Sequence, residues 1–138
     1  DNPMKSILCA CLAMVSALFM IQTAQGQALE QRPTRVVLQK TDVGNTGREA
    51  TLQTVEFAKG AAEIPHTHPG ELMGYVLTGA FELNVAGRPM VTYRAGEGFM
   101  VEGGKVHFGK NIADGPSKLL VTIILEKGKD PSSPAPVK

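Results

Sequence analysis

The sequence predicts an all-β protein in which one domain folds as a small barrel or sandwich. Between Thr34 and Lys127 no run of ten residues carries a helical apolar period. Short runs rich in Val, Ile and Leu alternate with turn signals at roughly the 8–12-residue spacing of all-β domains. The chain also holds 15 Gly and 9 Pro in 138 residues, a composition that supplies those turns.

The elements follow in order. Residues 34–40 read as a strand and 41–47 as a loop, on the Asp, Asn and Gly content of the latter. Residues 51–58 alternate apolar and polar side chains, as a half-buried strand does. A turn at 59–61 leads into a histidine-bearing strand. Residues 73–78 and 80–86 flank Gly79 and read as a tight hairpin, with Phe81, Leu83 and Val85 on one face. Further strands are expected at 90–93, 98–102 and 106–108, separated by turns at 87–89, 95–96 and 103–104. The nearly all-apolar run 118–125 reads as a buried strand.

The ends differ in composition from this middle. Residues 1–3 precede the first methionine and read as an expression remnant. Residues 4–26 have the layout of a secretory signal: Lys5, an apolar run from Ile7 to Ile21, then small residues at Ala24 and Gly26. The run falls short of the ~20 apolar residues that span a bilayer, so the expectation is cleavage after Gly26 or Ala28 and export to the periplasm or medium, with no stable membrane span after processing. Both cysteines, Cys9 and Cys11, fall in this segment, so the mature chain has no disulfide and no thiolate nucleophile. Residues 27–33 form an N-terminal segment, 34–127 the barrel, and 128–138 a Pro/Ser-rich tail expected to stay flexible. Fourteen Lys and Arg against thirteen Asp and Glu leave a net charge of +1 and no basic run, which argues against nucleic acid as a partner.

The chemistry concentrates in three histidines. His66 and His68 lie one residue apart, so on a strand both imidazoles leave the same face. Their Cβ atoms are then about 6–7 Å apart, a gap one metal can bridge through two nitrogens at about 2.0–2.1 Å. The first stretch reads Gly60-x5-His66-x-His68 with Gly79 closing it; the second reads Gly96-x7-Gly104-x2-His107-x3-Asn111. Together they resemble the two cupin motifs, G-x5-H-x-H-x3,4-E-x6-G and G-x5-P-x-G-x2-H-x3-N, over about residues 35–127. The resemblance implies a jelly-roll barrel, a metal on His66, His68 and His107, a structural role for Asn111, and a homodimer.

Two positions depart from the motifs. Leu72 stands where the family has its glutamate ligand, and Glu71 lies one residue earlier. On a regular strand Leu72 faces the metal and Glu71 points away; a bulge at Pro69-Gly70 would instead swing Glu71 inward. Glu102 replaces the motif proline.

Three neutral imidazoles with open positions suit one divalent transition metal, whether Fe, Zn, Mn, Ni or Cu. The resemblance includes three-histidine dioxygenases among cupins that lack the glutamate. The expected function is therefore a small-molecule metalloenzyme of dioxygenase type. The alternatives are a metal-assisted isomerase or lyase and a non-catalytic module holding a small ligand or metal. Leu72, Tyr75 and Tyr93 are the candidate pocket residues, and no residue is assigned a catalytic role.

Overall fold

The computed structural model describes residues 31–136. The expected signal lies outside the described residues. Ten strands follow one another: β1 (Thr34–Asp42), β2 (Arg48–Phe57), β3 (His66–Thr67), β4 (Gly70–Thr78), β5 (Ala80–Val85), β6 (Val91–Arg94), β7 (Gly98–Val101), β8 (His107–Asn111), β9 (Ser117–Glu126) and β10 (Ser133–Pro134). They form two five-stranded sheets, ordered β1-β2-β9-β4-β7 and β10-β3-β8-β5-β6. Every pairing is antiparallel, and the two sheets enclose one core in the expected jelly-roll arrangement. Among the described residues no helix is long and apolar enough to cross a membrane.

Alternation along each strand decides which side chains enter that core. On β9, Leu119, Val121, Ile123 and Leu125 are buried while Leu120, Thr122 and Ile124 between them are half-buried on the outer face. Val55 and Phe57 of β2, Leu72 and Val76 of β4, and Phe81, Leu83 and Val85 of β5 complete the apolar interior.

The hairpin expected around Gly79 does not form. β4 pairs with β7 and β9, whereas β5 pairs with β6 and β8. Gly79 is the corner where the chain leaves one sheet for the other. Its φ of 80° lies in the left-handed region, and a Cβ there would come within 2.1 Å of the Ser117 Oγ. A turn signal marks a change of direction, and the two strands it joins take their partners from elsewhere in the barrel.

Asn111 closes the same corner from inside. Its Nδ2 donates to the carbonyls of Phe57, Ala58 and Gly115 at 3.1, 3.0 and 2.9 Å. Its Oδ1 accepts from the Ala113 N–H at 2.9 Å and the Ser117 hydroxyl at 2.8 Å. This agrees with the structural role that the motif implied. Asn111→Ala would leave several buried polar groups without partners at about 1–3 kcal/mol each. A loss of about 3 kcal/mol is the expected minimum, a fall in melting temperature of ~12–24 °C at ~4–8 °C per kcal/mol. A fall of only one or two degrees would show that the node contributes little.

The Pro/Ser-rich end does not run free of the barrel. Ser133 pairs with Thr67 and Pro134 with His66, and the Ala135 N–H donates to the Pro65 carbonyl at 3.0 Å. A composition unable to form a core still makes an edge strand when a neighbouring strand offers unpaired backbone groups.

Candidate metal centre

Two strands and the residue just beyond the first of them deliver the histidines to one point inside the barrel mouth. His66 on β3 lies directly across from His107 on β8, and His107 lies across from Val85 on β5. His68 follows two residues after His66 on the same face, its carbonyl held by the Gly104 N–H at 2.8 Å. That bond ties the turn before His107 to the His66–His68 segment. All three rings are buried, at 7%, 7% and 3% exposure for His66, His68 and His107. Ring centroids lie 4.8 Å (66–68), 4.4 Å (66–107) and 5.0 Å (68–107) apart. One nitrogen from each ring falls in a group within 4.8 Å, so the three histidines are placed to hold a metal ion.

The hydrogen bonds orient each ring. Nδ1 of His66 meets the Ile64 carbonyl at 2.7 Å, that of His68 the Pro131 carbonyl at 2.5 Å, and that of His107 the Lys105 carbonyl at 2.9 Å. A carbonyl oxygen only accepts, so each Nδ1 carries the proton and donates it. In the neutral ring Nε2 then keeps its lone pair for a ligand. Three side chains with the same tautomer and convergent lone pairs fit a divalent transition metal better than they fit any hydrogen-bond network among themselves.

Burial favours the neutral form of two of the rings, His68 and His107. Desolvation lowers the His68 pKa from 6.5 to about 4, with His107 and His66 adding smaller repulsion against the opposing pull of the Pro131 carbonyl. Desolvation also lowers His107. An unfolded histidine takes up its proton near pH 6.5, before these buried ones do. The contribution of His68 to stability is thus complete above pH 6.5 and is lost as the pH falls through about 4, and His107 acts in the same direction. Metal-free protein is expected to lose melting temperature steeply across that window, and His68→Gln to flatten the loss. Identical profiles for the two would show that His68 does not titrate in this way.

Leu72 and Glu71 fall on opposite sides of β4. Leu72 is buried and lines an interior cavity of about 30 Å³ with His68 and His107. Glu71 is paired outside with Arg48, its Oε2 accepting from Nη2 at 3.0 Å. No bulge intervenes between Gly70 and Val76, where β4 stays in register with β9. Glu71→Ala is therefore expected to leave metal affinity within about tenfold, below even a typical loss of a ligand's supporting partner. With both side chains nearly half exposed, the stability change should stay within about 1 kcal/mol. A much larger loss of affinity in a metal titration would place Glu71 at the metal.

The two tyrosines are not brought to the site. Tyr75 follows Leu72 by three residues, so the alternation that turns Leu72 inward turns Tyr75 outward, where it is 46% exposed. Tyr93 stacks in the core wall, 5.9 Å from Phe81 and 5.3 Å from Phe99. In their place the structure brings up Arg35 of β1 and Glu63, which no motif marks. Nη2 of Arg35 donates to Glu63 Oε1, and Glu63 Oε2 accepts from the Gly109 N–H at 3.0 Å. Both residues line the cavity that His68 and His107 face.

A jelly-roll barrel with three convergent buried histidines at its mouth defines a β-barrel protein with a site that could hold a metal ion. The cupin domain model matches residues 53–123, half of the chain, and the protein belongs to the cupin family. The fold is similar to an uncharacterized double-stranded β-helix protein of Klebsiella pneumoniae, with a TM-score of 0.62, 19% identity, and coverage of 76% of this chain and 85% of that one. It is similar at the same TM-score of 0.62 and 19% identity to the DMSP lyase DddQ of Ruegeria pomeroyi, over 78% of this chain and 53% of that one. Oxalate oxidase matches at 26% identity and a TM-score of 0.51, over 63% of this chain and 52% of its own. No curated protein matches the chain.

Proposed function

We propose that this protein is a metalloenzyme of dioxygenase type, acting on a small molecule at one metal held by His66, His68 and His107. The observation that carries this reading is the shared tautomer: three Nδ1–H groups given to backbone carbonyls, leaving three Nε2 lone pairs for one ion. When bound there, a divalent metal supplies Lewis acidity and, if redox-active, electrons for dioxygen chemistry. The chain supplies the rest. Leu72, Phe81 and Ile123 make the cavity wall apolar, which excludes water from one side of the site. The chain's own groups favour oxygen chemistry over the isomerase or lyase alternative. Glu63 is the one carboxylate on the cavity wall among the described residues, and Arg35 and Gly109 occupy both its oxygens, which leaves it poorly placed as a free acid or base. The likeness to oxalate oxidase supports an oxidative reaction on a small molecule.

Metal analysis of protein taken from its native compartment, followed by an oxygen-uptake screen with small molecules, tests the proposal. About one equivalent of a redox-active metal and substrate-dependent oxygen uptake are expected. Bound metal with no uptake across the screen would favour the non-catalytic module.

The proposal extends to location and assembly. The apolar run from Ile7 to Ile21 supports export, for which a mature terminus at Gln27 or Leu29 is the test. Exposed Met73, Tyr75 and Met100 on the outer faces of β4 and β7 support a homodimer, which sedimentation of wild type and Tyr75→Lys would reveal as a loss of mass in the variant.

A further inference from the structure

We infer that Arg35 is an anion-binding residue and that the small molecule taken by this site carries a carboxylate. The inference rests on the metal reading above and adds the substrate class to it. Besides the interior cavity of about 30 Å³, two open clefts of about 310 and 240 Å³ reach the histidines. Among the described residues, Arg35 and His68 are the only ones that line all three. A molecule held against His68 in either cleft therefore shares that cleft with Arg35.

The charges lining these clefts are unbalanced. The two clefts carry Arg32, Arg35, Lys40 and Lys129 against the carboxylates of Glu49 and Glu63. Glu49 is paired with Lys40 at 2.8 Å, and Glu63 accepts from Arg35 and from the Gly109 N–H. Both carboxylates are thus already engaged, and Lys129 is paired with Glu126 at 3.8 Å, which leaves one net positive charge at the mouth before any metal adds two more. Low-dielectric walls focus such a field on the entering molecule.

Arg35 is also prepared to bind. Glu63 holds one of its amino groups, which fixes the plane of the guanidinium. The fork has five N–H donors in all, and its side chain remains 41% exposed. A planar, oriented, accessible guanidinium matches a carboxylate through two parallel hydrogen bonds. A second oxygen on the same molecule would be the group offered to a metal on the three histidines, so a hydroxy acid is the simplest matching shape.

Cobalt-loaded protein tests this, because the visible Co(II) bands report ligand binding at the metal without turnover. The probes are 2-, 3- and 4-hydroxybutyrate, which vary the distance between hydroxyl and carboxylate, their uncharged amides, and imidazole as a neutral ligand directed only at the metal. At least one acid is expected to bind well over tenfold tighter than its amide. Arg35→Gln should weaken that acid roughly 10- to 100-fold, the range for losing a charge-assisted hydrogen bond. It should leave imidazole and the amides within about twofold, and Arg35→Lys should retain an intermediate affinity for the acid. Acids that bind no better than their amides, or that bind Arg35→Gln as tightly as wild type, overturn the inference. Should Arg35→Gln fail to take up cobalt, Arg35→Lys and the acid–amide difference in the wild type decide the matter. A wild-type protein that takes up no cobalt overturns the metal reading itself, and this inference with it.

Discussion

Adding Fe(II), Ni(II) or Zn(II) to chelator-stripped protein is expected to raise its melting temperature by ~15–30 °C. A ligand that binds only the folded state at about 1,000 times its dissociation constant adds ~4 kcal/mol. For a domain near this size each kcal/mol is worth ~4–8 °C. The folded chain has the groups needed for such linkage, since three buried histidines on β3, its exit and β8 meet only once β3 has paired with β8. In the unfolded chain His107 lies some 40 residues beyond His66 and His68, so the three rings rarely meet. His107→Ala should abolish the rise while leaving the metal-free protein folded. A rise of the same size in the variant would remove His107 from the site.

Ending the chain after Lys127 is expected to weaken metal binding by about 10–100-fold, the usual effect of losing a ligand's supporting hydrogen bond. The residues removed include Pro131, whose carbonyl accepts from His68 Nδ1 at 2.5 Å, and β10, which pairs with β3 across from His66. Without that carbonyl His68 loses the acceptor that keeps the proton on Nδ1 and frees Nε2. Because the partner is a backbone atom, Pro131→Ala should leave affinity nearly unchanged, which separates loss of the strap from loss of a side chain. The barrel core lies within β1 to β9, so the shortened protein should still unfold cooperatively. Calorimetric titration of the three proteins with one metal decides the matter. Equal affinity in the shortened chain would show that the tail's contact with His68 has no role in holding the ion.

How much of this could be read from the residues alone depends on whether the deciding contact is local. The spacing of His66 and His68 fixes their common face through the period of the strand, and Gly104-x2-His107 marks a turn that presents a third ring. The same parity separates Leu72 from Glu71. Applied three residues further on, it would have sent Tyr75 outward as well. The positive φ angles at Gly60, Gly79 and Gly104 were legible from glycine itself, at 72°, 80° and 74°. What was not legible depends on partners distant in sequence. The direction of the chain after Gly79 is set by β6 and β8, not by the turn. Pro131 reaches His68 from 63 residues away, and Arg35 reaches Glu63 from 28. Neither pair leaves a pattern in the chain, because closure of the barrel, not sequence spacing, brings its members together.

X-ray absorption spectroscopy of the one-metal form tests the central claim most directly. Three imidazole nitrogens at about 2.0–2.1 Å from the metal are predicted, with solvent oxygens filling the remaining positions. Glu71→Ala should leave that spectrum unchanged, and His66→Ala should remove one imidazole from it. A spectrum with fewer than three imidazoles, or one that changes when Glu71 is removed, would contradict a centre built on His66, His68 and His107 alone.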